Sequence, residues 1–258
     1  MVKMKIIISP AMKMTVDNDS FSARTHPQFL AQAQELAAFL KKCSFNELQK
    51  IWQSSERTTK EGQRQIQTLN LSQKDSLTPA IISYSGIQYQ YMAPDLFTKP
   101  ALSYLQENVR ILSGLYGVLR PFDGVWPYRL EMKNKVKGFK QPNLYRFWGA
   151  TIADNLFDED LVLINLASKE YSRNVTPYVK NGRQMITVDF QEKRNGQWKT
   201  VGVHAKMARG EMVRYIAENQ LTEPEQLQDF HDFGFVFEPK VSTDNTYVFR
   251  TKFDFKRR

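Results

Sequence analysis

The chain carries a single cysteine, Cys43, and only three histidines, His26, His204 and His231, in 258 residues. One cysteine excludes an intrachain disulfide and suits a reducing cytosol. The histidines lie far apart, and neither a cysteine pair nor an H-E-x-x-H spacing occurs. Nothing has the pattern of a zinc site, so no metal and no cofactor is expected. Oxygen ligation by carboxylates stays open. There is no Walker loop, which disfavours P-loop nucleotide binding. The apolar run at the start, Ile6 to Ile8, falls short of a signal-peptide core, and no stretch approaches the roughly 20 apolar residues of a membrane helix. Cytoplasm is the expected location, with no membrane attachment and no stable protein partner. No low-complexity linker or internal repeat divides the chain, so residues 1–258 read as one compact domain.

What the chain has in surplus is positive charge. Its formal net charge is +9, which favours polyanionic partners. Between Arg110 and Arg146 stand eight basic residues, Arg110, Arg120, Arg129, Lys133, Lys135, Lys137, Lys140 and Arg146, opposed only by Asp123 and Glu131. Tyr116, Trp126, Tyr128 and Phe139 interleave them. Cations attract phosphates without reading sequence, and aromatic faces stack on exposed bases. Lys133 to Lys140 also fit a solvated, lysine-rich face. Arg110, Arg120 and Arg129 sit among apolar and turn-forming residues, so each is either paired internally or turned toward a functional concavity.

Periodicity predicts a mixed α/β (α+β) chain. Lys5 to Ser9, Pro79 to Tyr84 and Leu161 to Leu166 read as buried strands, and Met185 to Phe190 with Trp198 to Val203 as a hairpin around Asn195-Gly196. Two last strands cover Phe233 to Phe237 and Thr246 to Phe253, ahead of a basic tail, Lys256-Arg257-Arg258. Helices are expected after Pro27, over Asn46 to Trp52, over Glu56 to Leu69, over Leu144 to Phe157 and over His204 to Gln220. Leu102 to Leu119 is ambiguous. The element order is no clean βαβ alternation, so a standard doubly wound sheet is not implied.

Several local patterns have two readings. Gly114 and Gly117 (GLYG) favour a packing turn over a backbone-clamping loop, because Leu and Tyr fill the middle. Ser168 favours a helix N-cap, with Lys169 as an anion contact. Lys206 and Arg209 share a helix face, and Gly210 either packs or admits another backbone or a phosphate. Phe45 to Leu69 fits a helix-hairpin-helix presenting Lys50, Arg57, Lys60 and Arg64, although Glu47, Glu56 and Glu61 leave it almost neutral. Cys43 ends an apolar helical run and reads as packing. A peroxide-sensing thiol would need a lowered pKa, which Lys41 and Lys42 could encourage.

Six phrases together resemble the YaaA peroxide-stress-response family: IIISPAMKM (Ile6 to Met14), SGLYGVLRPFD (Ser113 to Asp123), PYRLEM (Pro127 to Met132), LYRFWG (Leu144 to Gly149), INLASKEY (Ile164 to Tyr171) and AKMARGEM (Ala205 to Met212). The resemblance implies a single mixed α/β domain outside the common superfolds, with a helix-hairpin-helix and a basic cleft. It also implies DNA binding linked to oxidative-stress defence, recombinational repair and restraint of free iron. Carried over by position, the cleft draws on Arg120, Arg129, Lys169, Lys206 and Arg209, and the hairpin on Phe45 to Leu69. One departure stands out: Met12 occupies the place of the usual family lysine, with Lys13 next to it.

Two functions follow. One is a protein holding double-stranded or structured DNA along a basic cleft, largely through phosphates, through Lys50, Arg57, Lys60, Arg64, Arg110, Arg120, Arg129, Lys169, Lys206 and Arg209. The other is an enzyme acting on a phosphorylated or nucleic-acid substrate, with Glu131 or Glu170 as general base. A concave pocket holding Arg120, Arg129, Glu131 and Lys169 favours the enzyme, and a shallow cationic groove favours the binder.

Overall fold

The computed structural model describes residues 4–17, 19–73, 77–157, 162–252 and 255. The predicted basic tail, Leu161 and Phe253 lie outside them. Eight strands form the main sheet: β1 (Met4–Ile8), β2 (Val109–Ser113), β3 (Gly117–Leu119), β4 (Val162–Leu166), β5 (Gln184–Arg194), β6 (Gln197–Lys199), β7 (Val236–Phe237) and β8 (Thr246–Thr251). Their order is β7-β8-β5-β4-β1-β2-β3, with β6 folded back on β5. Five strands, β8-β5-β4-β1-β2, run parallel, and β3, β6 and β7 join antiparallel. A mostly parallel sheet is covered on both faces, so its central strand reads as a continuous apolar run. β1 fits that rule in its apolar run Ile6 to Ile8, and all five of its residues are buried, Lys5 included.

The helices that frame the sheet include α1 (Leu30–Lys42), α2 (Phe45–Trp52), α3 (Glu56–Thr68), α4 (Ile87–Met92), α5 (Lys99–Asn108), α6 (Leu144–Trp148), α7 (Thr151–Leu156), α8 (Lys169–Ser172) and α9 (Gly202–Glu218). α9 packs across α4 and α5, and α3 against α1 and α2. The pair α2 and α3 is joined by Gln53 in the left-handed region and two serines. Ser44 and Glu47 form a capping box on α2, and Ser55 caps α3 through the Thr58 N–H.

Several expectations change on folding. PAIISY is not a strand: Ala80–Ser83 makes one helical turn between the short strands Thr78–Pro79 and Tyr84–Ser85. Ala80 and Ile81 N–H groups bond to the Asp123 and Pro121 carbonyls, so the loop after β3 captures the backbone that a sheet neighbour would have used. The ambiguous run after Leu102 is helix to Asn108 and strand thereafter. Leu144 to Phe157 is two helices broken at Gly149, whose φ is +48°. The Asn195-Gly196 turn forms as predicted, with φ of +50° and +80° at the two residues, but Val203 belongs to α9 and not to the returning strand.

Candidate functional site

Parallel open sheets place ligands beyond the carboxyl ends of their strands, where the chain order reverses direction across the sheet. Here that point lies between β1 and β4. From β1 the chain goes first to β2 on one side and later to β4 on the other. The loops leaving these strands meet: the Ser168 N–H donates to Ser9 Oγ at 2.8 Å, and the two serine hydroxyls stand 3.2 Å apart. A cavity of about 730 Å³ opens over this junction, within the size of small-ligand sites. Its walls come from five places: Ser9 to Lys13 after β1, Ser85 to Tyr89 into α4, Tyr128 to Lys133, Ser168 to Tyr171 at α8, and Lys206 with Arg209 on α9.

Six basic side chains line it, Lys13, Arg129, Lys133, Lys169, Lys206 and Arg209, against two acidic ones, Glu131 and Glu170. The arginines lie inward, while Lys133, Lys169 and Lys206 are exposed at the mouth. Three buried donors on these walls have no hydrogen-bond partner: Arg129 Nε, Arg209 Nε and Gln88 Nε2. Burial pulls the Arg209 guanidinium below its ordinary pKa, against an opposing pull from Asp189. Asp189 is engaged elsewhere, accepting from Gln191 Nε2 at 2.8 Å and Thr200 Oγ1 at 2.6 Å. Buried donors left unmatched are costly, and several facing one cavity make a receptor for an oxygen-rich anion.

The carboxylates sit at one edge. Glu170 accepts from the Lys133 N–H at 3.2 Å, and Lys133 Nζ lies 3.3 Å from Glu131 and 3.7 Å from Glu170. Burial lifts the Glu170 pKa above the ordinary carboxylate range, with Glu131 adding to the rise and Lys133 opposing it. Burial lowers the Lys133 pKa, yet Glu131 and Glu170 outweigh this and leave it raised. Because the folded chain holds the Glu170 proton more tightly than the unfolded chain, its contribution to stability is present below the unfolded pKa. That contribution is lost as pH rises through the folded value. Glu170→Gln is expected to flatten this part of the stability profile above pH 4, read by urea unfolding at stepped pH. An unchanged profile would show that another group is responsible.

A hydroxyl network backs the floor. Tyr128 Oη lies 2.9 Å from Tyr84 Oη and 2.7 Å from Ser113 Oγ, and Tyr89 donates to the Ser9 carbonyl at 2.9 Å. Burial raises the pKa of Tyr84, Tyr89 and Tyr128, so these hydroxyls stay protonated near neutrality.

The predicted residues separate into three groups. Arg129, Glu131, Lys169, Glu170, Lys206 and Arg209 converge on the cavity. Arg110 and Arg120 do not: with Lys5 and Asp123 they line a separate small pocket. Arg120 is neutralised there by Asp123 at 3.1 Å and donates to the His26 carbonyl. Lys50, Arg57, Lys60 and Arg64 lie exposed on α2 and α3, with Lys60 paired to Glu56. The groove beside α3 is faced by Thr58, Glu61, Gly62 and Gln65 and shares Met12, Lys13 and Arg129 with the main cavity. The four basic residues turn away from it.

Other local readings resolve as well. Gly114 and Gly117 are packing positions: a Cβ on Gly114 would meet the Leu130 carbonyl oxygen at 2.4 Å, and Gly117 (φ +74°) lies against the Trp148 ring. Tyr116 is a core ring and offers no stacking face. Ser168 occupies an N-cap position, yet its side chain makes no cap bond and turns to Ser9. Lys135 and Lys137 alternate with buried Asn134 and Val136, as a solvated face requires, but Lys133 leaves that set to pair with the carboxylates. Burial and Glu47 push the Cys43 thiol up, opposite to what a peroxide-reactive thiolate needs. Met12, 61% exposed, and Lys13 both reach the cavity, so the lysine displaced by one position still lines it. Gln88 and Tyr89 are invisible to charge and motif reasoning, because each is an ordinary residue until the fold brings it to this junction; Ser9 lies inside the phrase IIISPAMKM but carries no charge that marks it. Among the described residues no group of three His, Cys, Asp or Glu is placed to hold a metal, and no helix is long and apolar enough to cross a membrane.

Comparison with known sequences agrees with the phrases that line the cavity. The family model for peroxide stress protein YaaA matches residues 4–241. A UPF0246 protein of Lactobacillus helveticus is 58% identical, covering 98% of this chain and all of its own length. Those of Lactobacillus acidophilus and Lactiplantibacillus plantarum are 56% and 45% identical, over 98% and 95% of this chain and 100% and 98% of their own. The chain therefore belongs to the peroxide stress protein YaaA family.

Proposed function

We propose that the cavity binds a phosphorylated unit of nucleotide size, and that the protein meets DNA by taking one unstacked nucleotide of a strand into it. The observation that carries this reading is the set of three buried, unpartnered donors, Arg129 Nε, Arg209 Nε and Gln88 Nε2, on residues that line one cavity. Arginine forks onto phosphate oxygens, and the amide of Gln88 suits a carbonyl or phosphate oxygen. A shallow phosphate track would not need a closed floor or carboxylates at the rim. Protection of DNA during peroxide stress is the role this fits within the family.

A second reading keeps the ligand and adds chemistry. Glu170, half-buried beside Lys133 and facing the same space, is placed to exchange a proton with a bound substrate. Arg120 takes no part in either reading, since its charge is matched by Asp123.

Fluorescence anisotropy with a paired duplex, the same duplex carrying one mismatch, and thymidine 5′-monophosphate as competitor tests the proposal. The mismatched duplex should bind more tightly, the mononucleotide should compete, and affinity should fall with salt by a slope of about −0.9 per neutralised phosphate. Arg129→Ala should weaken all three. Equal affinity for both duplexes with no competition by the mononucleotide would overturn it.

A further inference from the structure

A second concavity of about 430 Å³ lies directly behind α8, lined by Tyr145, Arg146, Arg173, Asn174, Pro177 and Tyr178 among others. α8 is the wall between the two sites: Lys169 and Glu170 face the main cavity, and Arg173 and Asn174, just past its end, face the second. Four helical residues span about 6 Å, less than two base-stacking rises of about 3.4 Å each. Tyr145 ties the sites together, donating its hydroxyl to the Glu170 carbonyl at 2.9 Å.

The chemistry of this concavity is one-sided. Arg146 and Arg173 are exposed, and no carboxylate is among its lining residues. The Arg173 guanidinium lies over the Tyr145 ring at 5.1 Å, which presents the cation and the ring edge together. Asn174 is only 2% exposed, and its Oδ1 has no partner, while its Nδ2 donates to the Tyr145 carbonyl. An unmatched buried acceptor between two arginines and two tyrosines fits a ligand that offers both N–H donors and phosphate, as a nucleobase on its backbone does. The alternative exit from the main cavity, beside α3, is smaller and carries Glu61 and two methionines.

Resting on the nucleotide reading of the main cavity, we propose that single-stranded DNA continues from it over α8 into this second concavity. One neighbouring base then stacks against Tyr178, its phosphates meet Arg173 and Arg146, and Asn174 Oδ1 accepts from the base edge. The strand does not follow the exposed face of α3 that carries Lys60 and Arg64.

The test is anisotropy on the full chain with a labelled 12-nucleotide oligodeoxythymidylate, and competition by thymidine 5′-monophosphate. Arg173→Ala and Tyr178→Ala are expected each to weaken the 12-mer about tenfold, while mononucleotide binding stays unchanged. Removing both Arg146 and Arg173 should reduce the magnitude of the salt slope by about 1.4. Lys60→Ala with Arg64→Ala should leave the 12-mer unaffected. Arg146 and Arg173 are exposed, and circular dichroism checks that each variant, Tyr178→Ala included, is folded. If the 12-mer binds no more tightly than the mononucleotide, or Arg173→Ala does not weaken it, the second subsite is overturned. If the 12-mer needs Arg173 but the mononucleotide never binds, the subsite stands and the nucleotide reading of the main cavity fails. If neither probe binds, both fail. A 12-mer of oligouridylate binding more tightly than its DNA counterpart would reassign the surface to RNA.

Discussion

Gly210→Ala should destabilise the protein by about 3 kcal/mol, although alanine is the better helix former by about 1 kcal/mol. Gly210 lies in the middle of α9, where α9 presses on α4. A Cβ there would stand 2.3 Å from the Gln88 carbonyl oxygen and 2.9 Å from the Met92 amide nitrogen. Both obstacles are backbone, so no side chain can swing aside, and the two helices must part. The close approach predicted for this glycine is thus to another backbone. The same displacement would move Gln88 and Tyr89 away from Lys206 and Arg209, which line the same cavity. Urea unfolding measures the loss, and for a chain of this size the melting temperature should fall by about 6–12 °C. Gly202→Ala is the matched control, since nothing lies within 4 Å of a Cβ at that position. A Gly210→Ala protein within about 0.5 kcal/mol of the parent would show that the helices yield freely, and that Gly210 does not set their spacing.

Arg209→Met should move binding and stability in opposite directions. The guanidinium is largely withdrawn from water, its Nε is unpartnered, and no ion pair compensates it among the described residues. Replacing a buried charge by an apolar side chain of similar length removes that penalty, and a gain of about 1 kcal/mol is expected. If the cavity holds a phosphorylated ligand, the same change deletes a buried charge contact, and affinity should drop about 100-fold, or about 3 kcal/mol. Thermal unfolding without ligand and anisotropy with the 12-mer read the two effects separately. A protein destabilised by Arg209→Met would mean that the arginine holds the fold, and the functional argument for it would collapse. Arg120→Met should show the reverse pattern, lower stability with unchanged binding, because Asp123 is 1% exposed and would lose its partner.

How far the sequence carries the site depends on the kind of signal. β1 was legible because its run Ile6 to Ile8 is apolar on both faces, and the Asn195-Gly196 turn because only certain residues tolerate two positive φ values. The PAIISY segment was not, since a short apolar run looks the same as a strand or as a helical turn. Only Asp123 and Pro121, supplied from 40 residues away, decided which it became.

Charge behaves the same way. Composition alone determined that this protein is basic and has no intrachain disulfide, and residue spacing that it lacks the pattern of a zinc or P-loop site. Local phrases determined the family and marked Arg129, Glu131, Lys169, Lys206 and Arg209. What the sequence could not separate was Arg120 from Arg129, nine residues apart in one basic run. The tertiary structure separates them by sending Arg120 to Asp123 and Arg129 to the carboxyl ends of β1 and β4. The physical reason is that periodicity and charge density are properties of neighbours in the chain. The cavity, by contrast, is made by parallel strands, whose crossovers bring Ser9 against Ser168 from 159 residues away.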